Sequence, residues 1–422
     1  MKKFRCAIVG AAFCVCASVT SIGAAFAADN TKEGMVAFFM ETGCPEGWSV
    51  ATAAEGRMLL GVTDSTKFKI GAQGGGNALA NEEDRTHTHS YKTTVSLGSS
   101  DIEADGGDNT NPASPGNKDV PNSPPGTTDA ATSGAPMAQL TVCEKTTAPS
   151  DPTAQDPYPL GTLSFFNAQS CPAGSGEDWQ PAPLGTGDLG YFVVPFFNPP
   201  AATLAALVGT GMAPGENREH SHAFSSSISV DSQELVGKWG CAPWYVPGLC
   251  DPVTKDGTKS FSGTTYATSS GLPYVTYMLC QKSAFSPSSN PPQDVPQEVV
   301  TFLTDQTCPT GWKMTEATTG RYLVGLPSGG IPGVTFGGEP LQPTGTEPNP
   351  VAEHVHTFSG QVETGDKGVG LASGSGSDNV GKRGTYNYSG TTKESSVGLP
   401  YMGVIQCQPC TANDPDQACQ TQ

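Results

Sequence analysis

The sequence predicts a mainly β protein built from three tandem strand-and-loop repeats, with few helices beyond an N-terminal export signal. Three observations carry that expectation. Apolar runs are short, rich in Val, Phe, Tyr and Leu, and separated by turn residues, with 52 Gly and 36 Pro in 422 residues; this is the pattern of short strands. Five landmarks recur in the same order three times, the signature of an internal repeat. All six histidines fall into three H-x-H triplets, His87-Thr88-His89, His220-Ser221-His222 and His354-Val355-His356.

Residues 1–27 read as an address. Lys2, Lys3 and Arg5 precede a small-apolar stretch from Ala7 to Ile22, and Ala25-Phe26-Ala27 offers a cleavage site, as in a secretory signal peptide. The expected destination is outside the cytoplasm: secreted, periplasmic or at the cell surface. No later run has the ~18 apolar residues of a spanning helix, so no transmembrane segment is expected.

The repeats follow at 28–145, 161–282 and 298–409. Each opens on an apolar pair, Phe38-Phe39, Phe165-Phe166 or Phe302-Leu303, then a cysteine and proline at Cys44, Cys171 and Cys308. A Gly-Trp pair follows in the outer two, Gly47-Trp48 and Gly311-Trp312, whereas the middle copy displaces its tryptophan to Trp179. Gly56-Arg57-Met58-Leu59 and Gly320-Arg321-Tyr322-Leu323 come next, and the middle copy has Gly190-Tyr191 without the arginine. The triplet is third, with an aromatic two residues beyond it: Tyr91, Phe224 or Phe358. Each copy closes on a short apolar strand ending in Cys143, Cys280 or Cys407. Segments 146–160 and 283–297 are rich in Pro, Ser and Asp and read as linkers; 410–422 is a C-terminal tail.

Export makes the cysteines legible. With Cys6, Cys14 and Cys16 in the signal, ten of thirteen remain, an even number for an oxidising compartment. Repeat logic pairs Cys44 with Cys143, Cys171 with Cys280 and Cys308 with Cys407. Two local pairs are left, Cys241 with Cys250 and Cys410 with Cys419.

The net charge of −18 offers no basic patch to neutralise phosphates, which argues against nucleic-acid binding. It favours solubility.

In an extended strand, residues i and i+2 share a face, so each triplet presents two imidazoles together. Three pairs supply six nitrogens, enough for one octahedral ion. Imidazoles suit Fe, Ni, Cu and Zn, and one transition-metal ion is expected, Fe or Zn first and Ni next. A six-imidazole site has no open position and is therefore structural. Multicopper oxidases and barrel-type metallohydrolases use H-x-H motifs too, but both require more ligands than this chain has. With every histidine committed to a triplet, a serine-nucleophile mechanism has no base. A non-enzyme is expected.

The block Phe-x4-Cys-Pro-x-Gly-Trp, Gly-Arg-x-Leu-x-Gly, Glu-His-x-His-aromatic and Leu-Pro-Tyr ending in cysteine resembles the tail-collar and receptor-binding modules of phage tail fibres. In that family three chains intertwine, and their H-x-H pairs ligate an axial metal ion. The resemblance implies a trimer fused into one chain: a monomer with internal pseudo-threefold symmetry and a tail-collar-like body, with His87, His89, His220, His222, His354 and His356 as ligands. The third repeat matches best. The first has Gly134-Ala135-Pro136-Met137 in place of Leu-Pro-Tyr, and the signal peptide and cysteine pairs depart from a virion protein.

Long polar segments, roughly 98–134, 231–271 and 365–398, separate each triplet from its closing strand, and loops on a stapled scaffold are where binding resides. Trp239, Trp244 and Tyr245 in the middle loop are candidates for stacking on sugar. The expected function is a secreted, non-enzymatic, adhesin-like binding protein for carbohydrate or another cell-surface ligand. The alternative is a self-assembling structural subunit of an extracellular appendage or phage-tail-like assembly.

Overall fold

The computed structural model describes residues 30–95, 99–100, 125–149, 156–174, 177–185, 189–230, 232–234, 253–254, 257–284, 295–343, 353–363, 379–381, 385–411, 414 and 419. Among these the protein is mainly β, with one large sheet linking sixteen strands and eight two-stranded ladders. The helical elements among them include two three-residue 3-10 turns, Thr52–Ala54 and Ala201–Thr203. No helix among the described residues is long and apolar enough to cross a membrane.

The apolar pairs that open the repeats become the opening strands Met35–Phe39, Thr162–Phe166 and Val299–Leu303, all fully buried. Each pairs antiparallel with both of the others: Met35 opposes Phe166, Phe38 opposes Val300, and Leu163 opposes Phe302. Phe38 packs edge-on to Phe165 and Phe302 at 6.2 and 5.8 Å between ring centroids. Such T-shaped contacts add to the burial of three large rings.

Every opening strand also pairs with the closing strand of its own repeat, Pro136–Lys145, Tyr274–Lys282 or Tyr401–Pro409. The middle strands do the opposite and leave home. Met58–Val62 runs parallel to the closing strand of the second repeat, Tyr191–Pro195 to that of the third, and Tyr322–Gly325 to that of the first. Parallel pairing needs a long connection, and here all three partners come from a different repeat, two of them from a later one. Repeat boundaries that are clear in sequence are therefore not boundaries in space: the buried clusters mix Val36, Leu163, Val300 and Met402, and Met58, Phe192 and Tyr322. The expected linkers also end as core, since Tyr158 is 0% exposed and Val295 5%. Asp156, at the end of the first, accepts the indole N–H of Trp179 at 3.0 Å and lies 3.4 Å from Lys282 Nζ, a wholly buried ion pair.

Among the described residues three disulfides staple this sheet, Cys44–Cys143, Cys171–Cys280 and Cys308–Cys407, and a fourth, Cys410–Cys419, closes a short loop in the C-terminal tail. The first three join residues 99, 109 and 99 positions apart, and closing loops of that size contributes about 4.7 kcal/mol each in the chain-entropy model. Cys241, Cys250, Trp239, Trp244 and Tyr245 lie outside the described residues, as do residues 1–27. Four disulfides fit a protein of an oxidising, extracytoplasmic compartment.

The displaced tryptophan of the middle repeat finds its place. Trp179 stands opposite Lys282, as Trp48 stands opposite Lys145 and Trp312 opposite Pro409. The extra residues are taken up by a small ladder in which Ala173 opposes Asp178.

Candidate metal centre

The three triplets are not continuous strands. Thr86–His87, Glu219–His220 and Glu353–His354 form two-residue ladders, and the second histidine of each triplet lies beyond them. In these ladders His87 opposes Ala131, His220 opposes Thr268, and His354 opposes Ser395. Pairing resumes past the triplet, where Tyr91, Phe224 and Phe358 stand opposite Gly126, Gly263 and Gly390. The break lets both imidazoles of a triplet turn toward a common centre. All six rings converge there: one ligand atom from each histidine lies within 4.8 Å of every other.

The first histidines of the triplets form a triangle. Nε2 of His87 is 3.1 Å from Nε2 of His220, that of His220 is 3.1 Å from His354, and that of His354 is 3.2 Å from His87. Each Nε2 carries either one proton or one lone pair. Three mutual contacts among three such atoms cannot all be hydrogen bonds, because at least two atoms must be of the same kind. A cation facing all three lone pairs resolves the conflict.

The second histidines are held by their other nitrogen. Nδ1 of His89 faces the carbonyl of Tyr266 at 3.0 Å, Nδ1 of His222 that of Lys393 at 3.0 Å, and Nδ1 of His356 that of Asp129 at 2.9 Å. A carbonyl only accepts, so Nδ1 carries the proton and Nε2 bears the lone pair. Those three Nε2 atoms are buried and have no hydrogen-bond partner. Buried orphan acceptors aimed at one point are what a metal ion satisfies, and N–H to carbonyl contacts of this kind fix the tautomer of a ligating histidine.

Dimensions agree with an octahedron. An edge of 3.1 Å implies a centre-to-vertex distance of about 2.2 Å, slightly longer than the ~2.0–2.1 Å of four-coordinate Zn–N bonds. The corresponding diagonal, about 4.4 Å for six octahedral nitrogens, falls within the observed 4.8 Å limit. The residues fit one six-coordinate ion.

Burial disfavours charge on these rings, and the neighbouring imidazoles add to the effect. Together they push His87 down to about 3 and His220 to about 2. Desolvation also lowers His89 and His222, against the opposing pull of their backbone carbonyls. These four rings are thus held toward the neutral form, the one that ligates.

Beneath the histidines Tyr91, Phe224 and Phe358 meet one another, with centroids 5.3, 5.6 and 5.3 Å apart. The glycine opposite each makes room for its ring: a Cβ at Gly126 would come within 2.3 Å of Tyr91 Cζ, and Cβ atoms at Gly263 and Gly390 within 2.8 Å of Phe224 and Phe358 Cζ. Glu219 and Glu353, which precede two triplets, are exposed.

One set of functional residues is missed by reasoning from sequence. Thr128, Thr265 and Thr392 each accept the backbone N–H of the second histidine in their own repeat, at 2.9, 2.9 and 3.0 Å. Their own N–H groups donate to the same histidines' carbonyls. The next residue in each case, Asp129, Tyr266 or Lys393, carries the carbonyl that orients a histidine of another repeat. A signal for them exists: Gly126-Thr127-Thr128, Gly263-Thr264-Thr265 and Gly390-Thr391-Thr392 are a sixth landmark, set within polar loops that otherwise share no pattern.

Comparison with protein-family models, with curated proteins and with solved structures finds no match to this chain.

Proposed function

We propose that this chain is a secreted, non-enzymatic binding protein whose body is a fused trimer of tail-collar-like modules, with pseudo-threefold symmetry about one structural metal ion. The observation that carries the reading is the inward convergence of six imidazoles, three of them with Nδ1 committed to a carbonyl and Nε2 left without a partner. The cyclic exchange of middle strands supports the fused-trimer part, because the first repeat pairs with the second, the second with the third, and the third with the first.

Six neutral nitrogens at octahedral spacing favour Fe(II), then Zn, with Ni next, since structural Zn prefers four ligands. A saturated ion has no position for substrate or water, which supports a structural role over a catalytic one. The binding surface is assigned to the hairpins beyond the aromatic triangle. There an open polar groove of about 520 Å³ is lined by Ser227, Ser359, Gln361, Asn387 and Ser389, hydroxyls and amides of the kind that hydrogen-bond sugars. Elemental analysis of natively purified protein together with a glycan array tests both parts. One Fe or Zn per chain and a defined glycan set are expected; absence of metal, or a blank array, overturns the corresponding part.

The interleaved, disulfide-stapled body also supports the second reading, a rigid building block of an extracellular appendage. A chain that stays monomeric at high concentration in light scattering removes it.

A further inference from the structure

Equivalent positions in the three repeats can be aligned by their partners. Met58, Phe192 and Tyr322 stand opposite Tyr274, Tyr401 and Met137, so the residues just before them, Arg57, Tyr191 and Arg321, are equivalent. Backbone bonds of 2.8 Å from Leu79 to Gly56, Met212 to Gly190 and Leu341 to Gly320 align a second set: Asn77, Thr210 and Glu339. Two residues before each triplet stand Arg85, Arg218 and Ala352.

Charge is balanced in two of the three places. In the second repeat Arg218 pairs with Glu216 at 2.8 Å, and Tyr191 replaces the other arginine. In the third, Arg321 has Glu339 for a charged neighbour. The first repeat alone has both arginines. Glu83 pairs with Arg85, and the place of Glu339 is taken by neutral Asn77. Arg57 therefore has no carboxylate partner among the described residues, and its charged neighbour is Arg85. Both guanidiniums touch Gly76: Arg57 Nη1 donates to its carbonyl at 3.1 Å, and a Cβ there would lie 2.7 Å from Arg85 Nη1.

Part of this is structural, because Arg321 Nη1 makes the same bond to Gly338 at 3.2 Å. That role uses one nitrogen. Arg57 also lines a recess of about 510 Å³ together with Gln73, Gly74, Gly75, Asn77 and Arg85. An uncompensated, partly desolvated guanidinium in a chain of net charge −18 is costly unless an anion answers it. The geometry points to a binding pocket for a carboxylate-bearing ligand, held by the Arg57 guanidinium in the two-point manner that matches a planar carboxylate, with the Gln73 and Asn77 amides beside it. Taken with the proposed binding function, and resting on it only for what carries the carboxylate, this makes an acidic sugar the ligand class.

The test titrates the whole exported chain with sodium glucuronate, using glucose as the neutral control and two-dimensional NMR as the readout. Saturable, millimolar binding of glucuronate without response to glucose is expected. Asn77→Glu, which places a counter-charge on an exposed loop, should weaken it by about tenfold, 1.4 kcal/mol, with metal content unchanged. Arg57→Gln should abolish it. Equal response to both sugars, no response to glucuronate, or unaltered affinity in Asn77→Glu overturns the pocket. Uronate-containing polysaccharides separate the pocket from its carrier: binding of free glucuronate without any polysaccharide keeps the pocket and removes the glycan reading. Polysaccharide capture that survives Asn77→Glu does the reverse.

Discussion

Asp129 and His356 are 227 positions apart in the chain, yet the Asp129 carbonyl holds Nδ1 of His356 at 2.9 Å. The neighbouring Thr128 reaches the same ring, its Oγ1 lying 3.3 Å from Nδ1, while accepting the backbone N–H of His89 from its own repeat. One dipeptide of the first repeat thus positions histidines of two repeats. The same is true of Thr392-Lys393, which holds His356 and His222. The centre is cross-braced, so a fault introduced in one repeat is felt by ligands supplied by another.

Thr128→Val tests the bracing. It keeps the shape but removes the acceptor, leaving a buried N–H of His89 unpaired at a cost of about 1–3 kcal/mol. Loss of an orienting contact of this kind typically weakens metal binding by about 10–100-fold. Competition against a chelator of known affinity measures the second effect and urea unfolding the first. Thr128→Ser, which restores the hydroxyl, should behave close to the parent.

Acid should release the metal and cost stability. His87 and His220 sit at about 3 and about 2 when folded, well below the unfolded value of about 6.5. Below 6.5 the unfolded chain takes up protons that the folded one refuses, so stability rises with pH in this window. The contribution is complete above about 6.5 and is lost progressively as pH falls toward about 3, where the folded rings begin to titrate. Bound metal moves the folded values further in the same direction. Urea midpoints measured from pH 7 to 4 should fall, and more steeply with metal than after chelation. A flat profile in both states would contradict the assignment of six neutral ligands.

Much of this architecture is legible in the amino-acid sequence. Phe38-Phe39 and its two counterparts, the opening and closing cysteines and the convergence of the three triplets follow from spacing alone, because cysteines and paired histidines are chemically distinctive and recur at fixed landmarks. Strand exchange is not legible from the residues. Met58–Val62 reads the same whether it pairs at home or with Tyr274–Lys282, since both strands are apolar and almost wholly buried. The Gly-Thr-Thr turn escapes notice because threonine and glycine are common in polar loops; its role appears only when Thr128, Thr265 and Thr392 are seen bonded to histidines.

Glycine in that turn has its own consequence. Gly126→Ala would place a Cβ 2.3 Å from Tyr91 Cζ, whereas Gly263→Ala meets Phe224 Cζ at 2.8 Å. Overpacking of this sort costs roughly 1–3 kcal/mol, and the first substitution should be the worse. Tyr91→Phe is the gentle comparison. It removes a hydroxyl that donates to Ser359 O at 3.1 Å, a loss of about 1 kcal/mol, and makes the aromatic triangle uniform. Calorimetric midpoints should rank Tyr91→Phe above Gly263→Ala and Gly263→Ala above Gly126→Ala.

The decisive measurement concerns stoichiometry. If the six histidines serve one ion, replacing His220 and His222 by Ala leaves four ligands and two vacancies, and the parallel changes at His87 with His89 or His354 with His356 leave the same. Each double variant should lose metal almost completely under a chelator concentration that the parent resists, and the three losses should be alike. Independent sites would instead give up one third of the metal per variant, and a parent binding three ions would exclude the shared centre outright. The strand framework offers a control. Opening and closing strands remain stapled by Cys44–Cys143, Cys171–Cys280 and Cys308–Cys407, each bridge adding about 4.7 kcal/mol by chain entropy. Far-ultraviolet dichroism of the variants should therefore stay close to the parent while their metal content collapses. A variant at His220 and His222 that keeps its metal would mean that the middle repeat, the most divergent in its framework, supplies no ligands.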